Sequence, residues 1–152
     1  MPPFCFVATL IVGVVIQDFT IEYSEAKRAV DLVVDEIQRR GKAGVVVVAD
    51  SHGELIALAR LDGAPLTSIT IAVNKAWTAA RERKATRDIG DRARDPEKGF
   101  DVAYFGDPRI VGWGGGVPVW KDGKVIGSVA VSGLPQVEDM ELAAMGAAAI
   151  TG

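Results

Sequence analysis

Three side chains have the types that proton transfer and carboxylate binding require. Lys75 lies in a predicted helix, and Glu138 and Asp139 open another. A lysine ammonium binds a substrate carboxylate or acts as an electrophile, and a carboxylate moves protons. These residue types predict a catalytic set of Lys75, Glu138 and Asp139. The alternative is that Glu138 and Asp139 only favour the positive end of their own helix.

Polar residues on other elements would complete a pocket around that set. Thr78 follows Lys75 by three residues, which places both side chains on one helix face. Arg60 and Asp62 stand at a corner before that helix. They form either part of the pocket or a structural ion pair. If the elements converge, Arg60, Asp62 and Thr78 are ligand-binding residues.

A glycine run, Gly114, Gly115 and Gly116, is a further candidate binding element. No G-x-G-x-x-G pattern and no Lys-Ser/Thr pair accompanies it, which argues against nucleotide binding. Glycines permit positive φ angles and a close approach between backbone and ligand. The run therefore either lines a carboxylate pocket with its amides or forms a plain turn.

The composition excludes several classes of protein. The chain has 152 residues, is 49% hydrophobic and carries a net charge of -3, which fits one domain and no nucleic-acid partner. One histidine, His52, and one cysteine, Cys5, cannot supply a zinc cluster, and the carboxylates lack a calcium-loop pattern. No metal site is predicted.

The first 19 residues are predicted to be an apolar N-terminal extension ahead of a domain over 20–152. Residues 7–16 are rich in β-branched types, which favours a strand. The apolar stretch is shorter than the roughly 20 residues a membrane span needs, and it lacks the basic flank and cleavage site of a signal peptide. We therefore expect a cytoplasmic protein without a membrane partner, with secretion the less favoured alternative.

The remaining chain alternates helices and hairpins. Helices are predicted over 24–40, 67–80 and 135–150, and hairpins over 44–61 and 117–132. The charged stretch 81–106 is predicted to be a frayed helix end followed by an exposed excursion. This order indicates an α+β fold with a mainly antiparallel sheet covered by helices on one face.

Short blocks spread over residues 20–150 carry a family resemblance. In chain order they are Val48-Ala49-Asp50 with Gly53, Arg60-x-Asp62-Gly63-Ala64, Lys75-Ala76-x-Thr78-Ala79, Gly114-Gly115-Gly116-Val117-Pro118, Gly127 with Val131-Ser132-Gly133, and Glu138-Asp139. Together they resemble the GlcG/HbpS-like family of small haem- and ligand-binding proteins. That family includes the C-terminal domain of PduO-type adenosyltransferases.

The resemblance implies a profilin-like α+β fold, assembly into homo-oligomers and, for some members, binding of haem or a related tetrapyrrole. Other relatives act on small aromatic compounds, including lyase chemistry on arylhydroxylamines. Small-ligand binding, with haem as the leading cofactor, is the function we expect first. The alternatives are a lyase or isomerase acting through Lys75, and an oligomeric accessory subunit that docks on a partner through residues 81–106.

A haem protein needs an iron ligand, and the sequence offers few. His52 lies in the predicted Asp50–Gly53 turn, where it is either an exposed turn residue or a ligand. The resemblance implies a histidine on the first helix for some members, and this chain has none there. By residue type, the other candidate iron ligands are Met140, Met145, Tyr104 and Cys5. Relatives that use an oxygen ligand imply two more candidates, Thr78 and Thr86.

Overall fold

The computed structural model describes residues 16–151. Its elements are α1 (Tyr23–Arg39), β1 (Val45–Asp50), β2 (Leu55–Arg60), α2 (Thr67–Glu82), α3 (Thr86–Ala93), a 3-10 helix (Val102–Phe105), β3 (Gly116–Lys121), β4 (Lys124–Ser132) and α4 (Gln136–Thr151). The three long helices and two hairpins predicted from sequence are confirmed. The strand predicted over 7–16 lies outside the described residues except for Ile16, which belongs to no regular element.

The strands form one antiparallel sheet in the order β2-β1-β4-β3. In the first hairpin, Asp50 Oδ1 accepts the amide hydrogens of His52 and Glu54. In the second, Asp122 and Gly123 both take positive φ angles, 50° and 74°, as a two-residue hairpin turn requires. The sheet joins segments far apart in the chain because β1 pairs with β4 along its whole length. The predicted α+β class is confirmed.

Helices cover both faces of the sheet, so the prediction of helices on one face is wrong. One face packs against α1 and α4 through Val46, Val48, Val129 and Val131. The opposite face packs against α2 through Val45, Val47, Ala49 and Ala130. The physical reason is visible in β1, whose apolar residues form an unbroken run instead of alternating with polar ones. A strand that is apolar on both sides needs cover on both sides.

Residues 81–106 are more ordered than predicted, because α3 and the 3-10 helix lie within them. The side chains of Thr86 and Ile89 are buried, as is Gly90. A Cβ on Gly90 would lie 1.8 Å from the Gly112 carbonyl oxygen, so the glycine permits close packing of α3 on the loop before β3. The prediction of an exposed excursion is therefore wrong for α3, whose few buried positions are hidden in sequence by the charges around them.

Candidate functional site

Lys75 of α2 and Asp139 of α4 meet where β4 ends. The Lys75 ammonium lies 3.0 Å from Asp139 Oδ2 and donates to the Val131 carbonyl oxygen at 2.9 Å. The two side chains are 1% and 5% exposed. The structure thus brings together two of the three residues predicted as catalytic, as a buried ion pair.

Burial shifts both members of this pair toward their neutral forms. It lowers the pKa of Lys75, against the opposing attraction of Asp139. It raises the pKa of Asp139, against the opposing attraction of Lys75. The second carboxylate oxygen of Asp139 accepts the Leu134 amide hydrogen at 3.1 Å. Asp139 therefore accepts a backbone hydrogen bond at the start of α4 and also forms a buried ion pair. Because burial favours the neutral form of each group, moving a proton from Lys75 to Asp139 costs less free energy than in an exposed pair.

The glycine run wraps the Lys75–Asp139 pair. Gly115 has a φ of +120°, and a Cβ there would lie 2.8 Å from Lys75 Nζ and 2.7 Å from the Val131 oxygen. A Cβ on Gly116 would lie 2.6 Å from the Lys75 carbonyl oxygen. These positions need glycine because the lysine and its helix occupy the space of a side chain.

The amides at the two ends of this run are already engaged. Gly114 N–H donates to Gln136 Oε1 at 2.9 Å, and Gly116 N–H donates to Thr86 Oγ1 at 3.0 Å. They are therefore not free to bind a ligand carboxylate. The Trp113 ring lies with its centroid 5.6 Å from Lys75 Nζ and is 56% exposed, so it stands between the buried ammonium and solvent.

Glu138 lies beside Asp139 in sequence but engages another part of the molecule. Its carboxylate accepts hydrogen bonds from Lys42 and from Arg40, which join the start of α4 to the end of α1. The Lys42 hydrogen bond, with that of Arg40, lowers the pKa of Glu138. Successive helical residues point about 100° apart, so adjacent carboxylates face different neighbours. Glu138 is not brought to Lys75.

Arg60 and Asp62 stay exposed at the end of β2 and in the turn after it. Within residues 16–151 neither side chain forms a hydrogen bond or an ion pair, with each other or with the Lys75 pair. The expected convergence on Lys75 and the alternative Arg60–Asp62 ion pair are both wrong for this chain.

The threonine hydroxyls predicted as ligand-binding or iron-binding groups hold the backbone together. Thr78 Oγ1 donates to the Arg109 carbonyl oxygen at 3.0 Å and accepts the Val111 amide hydrogen at 3.1 Å. Thr86 Oγ1 donates to the Trp113 carbonyl oxygen at 2.7 Å. Both threonines are fully buried. Their lone pairs and hydrogens are therefore used within the protein.

His52 lies at the rim of a cavity of about 470 Å³. The imidazole is 70% exposed, and its Nε2 lies 2.6 Å from Asp18 Oδ2. Ser51 Oγ donates to the same carboxylate oxygen at 2.9 Å, and the two contacts lower the pKa of Asp18. Because Asp18 contacts Nε2, Nδ1 is the ring nitrogen that this contact leaves open. A carboxylate that orients a histidine in this way is common behind histidine ligands to metals.

Aromatic, aliphatic and charged groups of both signs form the walls of this His52 cavity. Besides His52, its lining consists of Ser51, Trp77, Ala80, Arg81, Glu82, Arg83, Phe105, Asp107 and Ile110. Two guanidinium groups lie over the Trp77 ring, with its centroid 4.6 Å from Arg81 and 4.1 Å from Arg109. The cavity volume falls within the roughly 300–1,000 Å³ of small-molecule sites. The sequence reasoning missed these wall residues, which come from separate elements and share no motif.

The other candidate iron ligands lie elsewhere. Met140 Sδ packs on Gly114, Met145 packs against the core between sheet, α1 and α4, and Tyr104 is 85% exposed. Cys5 lies outside the described residues. A larger hollow of about 840 Å³ lies between the segment before α1 and the β3–β4 turn, and its described lining holds no His, Met, Cys or Tyr.

The described part of the chain lacks two further features. Residues 16–151 contain no cluster of three or more His, Cys, Asp or Glu side chains placed to hold a metal ion. Among the same residues, no helix has the length and apolar character to cross a membrane.

The fold places the chain in the class of small α+β proteins built on an antiparallel sheet with helices on both faces. The chain belongs to the HbpS-like family, because the family model described as "Haem degrading protein HbpS-like" matches residues 21–148. This confirms the family resemblance seen in the sequence blocks.

Three relatives show how far the similarity extends. An uncharacterized 15.0 kDa protein of the dhaT-dhaS intergenic region of Citrobacter freundii is 36% identical over 124 residues, which cover 82% of this chain and 87% of that protein. The crystal structure of Klebsiella pneumoniae ORFY matches with a TM-score of 0.84 at 28% identity, covering 93% and 98% of the two chains. The crystal structure of PduOC in complex with haem matches with a TM-score of 0.79 at 28% identity, covering 86% and 94%.

Proposed function

We propose that this protein binds haem or a related tetrapyrrole in the His52 cavity. The observation that carries the proposal is the position of His52, the single histidine, at the rim of a cavity with aromatic walls. Membership of the HbpS-like family and the similarity to PduOC, solved as its haem complex, support it. Haem, when bound, supplies redox and oxygen chemistry at its iron.

The donor set of the cavity fits this group. His52 would ligate the iron through Nδ1, since Asp18 occupies Nε2 and fixes the ring. Phe105, which is 39% exposed, would contact the macrocycle, as flat aromatic surfaces do in ligand sites, while Trp77 would support the wall behind it. Thr78 would position the lining residue Ile110, because its hydroxyl bonds to the backbone of Arg109 and Val111 on either side of it.

An absorbance titration with hemin tests the proposal directly. We expect saturable one-to-one binding with a shifted Soret band, and loss of that shift in His52→Ala. Tyr104→Phe is the matched control, because Tyr104 is a ligand by type but does not line the cavity. Absorbance that fails to saturate, like that of hemin with an unrelated protein, or an unchanged Soret band in His52→Ala, would reject iron ligation by His52.

A second candidate is a lyase or isomerase that uses Lys75 and Asp139 on a small carboxylated or aromatic substrate. The observation in its favour is that burial moves the pKa values of the two groups toward each other. Access to the pair would require the Trp113 ring to swing away from Lys75. Turnover of arylhydroxylamines or small carboxylates that disappears in Lys75→Arg, in protein that circular dichroism shows to be folded, supports this candidate. Equal turnover in Lys75→Arg and wild type rejects it.

We also propose that the chain assembles as a homo-oligomer through the edge strand β2. Leu55 and Leu58 pair with Ala49 and Val47 in the sheet and so point to the α2 side, yet they are 52% and 37% exposed. An edge strand with exposed leucines offers both backbone and apolar surface to another chain. A second copy would bury both.

A further inference from the structure

The His52 cavity contains one arginine whose charge no contact within the described chain balances. Arg83 follows α2 and has a φ of 55°, in the left-handed region that favours glycine. The penalty for a side chain in this region is about 1 kcal/mol. Arg83 is exposed and lines the cavity.

The neighbouring arginines are already committed to protein partners. Arg81 Nε donates to the His52 carbonyl oxygen at 2.8 Å, and its guanidinium stacks on Trp77. Arg109 forms a two-point ion pair with Asp107, at 2.8 and 3.1 Å. Within residues 16–151, in contrast, no hydrogen bond or ion pair engages Arg83. Among the arginines that line this cavity, Arg83 is therefore the one whose guanidinium is free to meet a ligand anion, although the Glu82 carboxylate lies in the same lining.

A second donor without a partner belongs to the same wall. Trp77 is 6% exposed, and its Nε1 has no hydrogen-bond acceptor within the described part of the chain. A buried donor left without a partner costs free energy unless an acceptor arrives. The uncommitted Arg83 guanidinium can meet the acceptor oxygens of a ligand directly, whereas the buried Trp77 N–H would need the wall to open first.

We infer that the His52 cavity selects flat ligands that carry a carboxylate, and that Arg83 is the residue that binds this carboxylate. The inference rests on the proposed function, which it deepens by naming the peripheral group of the ligand. A guanidinium presents parallel N–H donors that match the two oxygens of a carboxylate.

The test uses the iron-free protoporphyrin IX, which carries two carboxylates, and its dimethyl ester, which carries none. Tryptophan fluorescence quenching on the full chain measures both affinities. We expect protoporphyrin IX to bind wild type about tenfold more tightly than Arg83→Gln, the usual scale for one charged hydrogen-bonding group. The ester should bind both proteins equally weakly.

Two further variants separate the Arg83 contact from net charge and from stability. Lys84→Gln changes the net charge by the same amount, one residue away and outside the cavity lining, and should bind like wild type. Arg83→Gly should bind as weakly as Arg83→Gln while its thermal midpoint equals or exceeds that of wild type, because glycine adopts the positive φ without strain. Lost binding in a fully stable variant excludes a folding defect.

The outcomes separate this inference from the haem proposal. Equal affinity of wild type and Arg83→Gln for protoporphyrin IX, equal affinity of wild type for acid and ester, or no binding of the acid, each overturns the role of Arg83. The hemin Soret shift and its dependence on His52 test iron ligation alone. A protein that binds the iron-free acid through Arg83 but shows no Soret shift with hemin would support carboxylate binding by Arg83 and reject iron ligation by His52.

Discussion

Replacing Lys75 with methionine tests the physical account of the buried pair. Methionine keeps an unbranched stem of similar length but removes the ammonium. The change deletes the hydrogen bonds to Val131 and Asp139 and leaves the Asp139 carboxylate buried, with the Leu134 amide as its remaining partner. Breaking a buried ion pair at one end costs about 3–5 kcal/mol, a large share of the roughly 5–15 kcal/mol that stabilises a domain.

The cost should depend on pH with a definite sign. Without Lys75, burial raises the pKa of Asp139 further, so the folded state holds a proton that the unfolded state releases. The destabilisation is therefore full at about pH 7 and shrinks as the pH falls toward the ordinary carboxyl value of 3.8. Urea unfolding followed by circular dichroism at about pH 7 and about pH 4.5 measures both free energies.

Two comparisons make this measurement decisive. The double variant Lys75→Met, Asp139→Leu replaces the pair by apolar groups and should be more stable at neutral pH than Lys75→Met alone. Lys84→Met is the surface control and should lie within about 0.5 kcal/mol of wild type. A Lys75→Met cost below about 1 kcal/mol, or one that does not change with pH, would refute the reasoning.

Three other predictions concern packing, pH and assembly. Gly115→Ala should destabilise the fold by about 2–4 kcal/mol in thermal unfolding, because it combines a positive φ with a clash against Lys75. Gly123→Ala is the control, and it should cost about 1 kcal/mol because Gly123 has a positive φ but open space around it. Equal costs for the two variants would contradict the close approach of Gly115 to Lys75. Hydrogen bonds from Arg39 and Arg40 lower the pKa of Glu36 from 4.5 to about 2. Glu36→Gln should therefore be less stable than wild type at neutral pH, with a difference that fades as the pH falls from about 4.5 to about 2; a difference that is constant with pH would count against this. Light scattering should give a multiple of the chain mass for wild type and a smaller mass for Leu58→Lys, and a monomeric wild type would reject the assembly proposal.

Local rules explain why most elements were predictable. Asp122-Gly123 provides the positive φ angles of a hairpin turn, and the apolar periodicity of α1 and α2 sets their lengths to within a few residues. The start of α1 differs from the prediction by one residue, because the helix begins at Tyr23 instead of Ser24 and has no side-chain cap. The short helix α3 was missed, since only Thr86, Ile89 and Gly90 are buried in it.

The candidate site was predictable only in part. Lys75 and Asp139 do converge, and the glycines around them are required, but the roles of these residues remain predictions. Glu138 and Asp139 were equivalent in sequence, and only the packing of α4 against α1 and the sheet assigns one to Lys42 and the other to Lys75. Arg60 and Asp62 belong to another of the sequence blocks, and the structure leaves them apart from the Lys75 pair.

By itself the sequence determined the helices, the hairpins, the α+β class and the family, because turn chemistry and apolar spacing act over a few residues. The tertiary structure decided that helices lie on both faces of the sheet and that Lys75 is buried. It also decided that His52 shares a cavity with Trp77 and Arg83. These features depend on contacts between residues far apart in the chain. The pairing of β1 with β4 brings such residues together, and no local sequence pattern encodes that pairing.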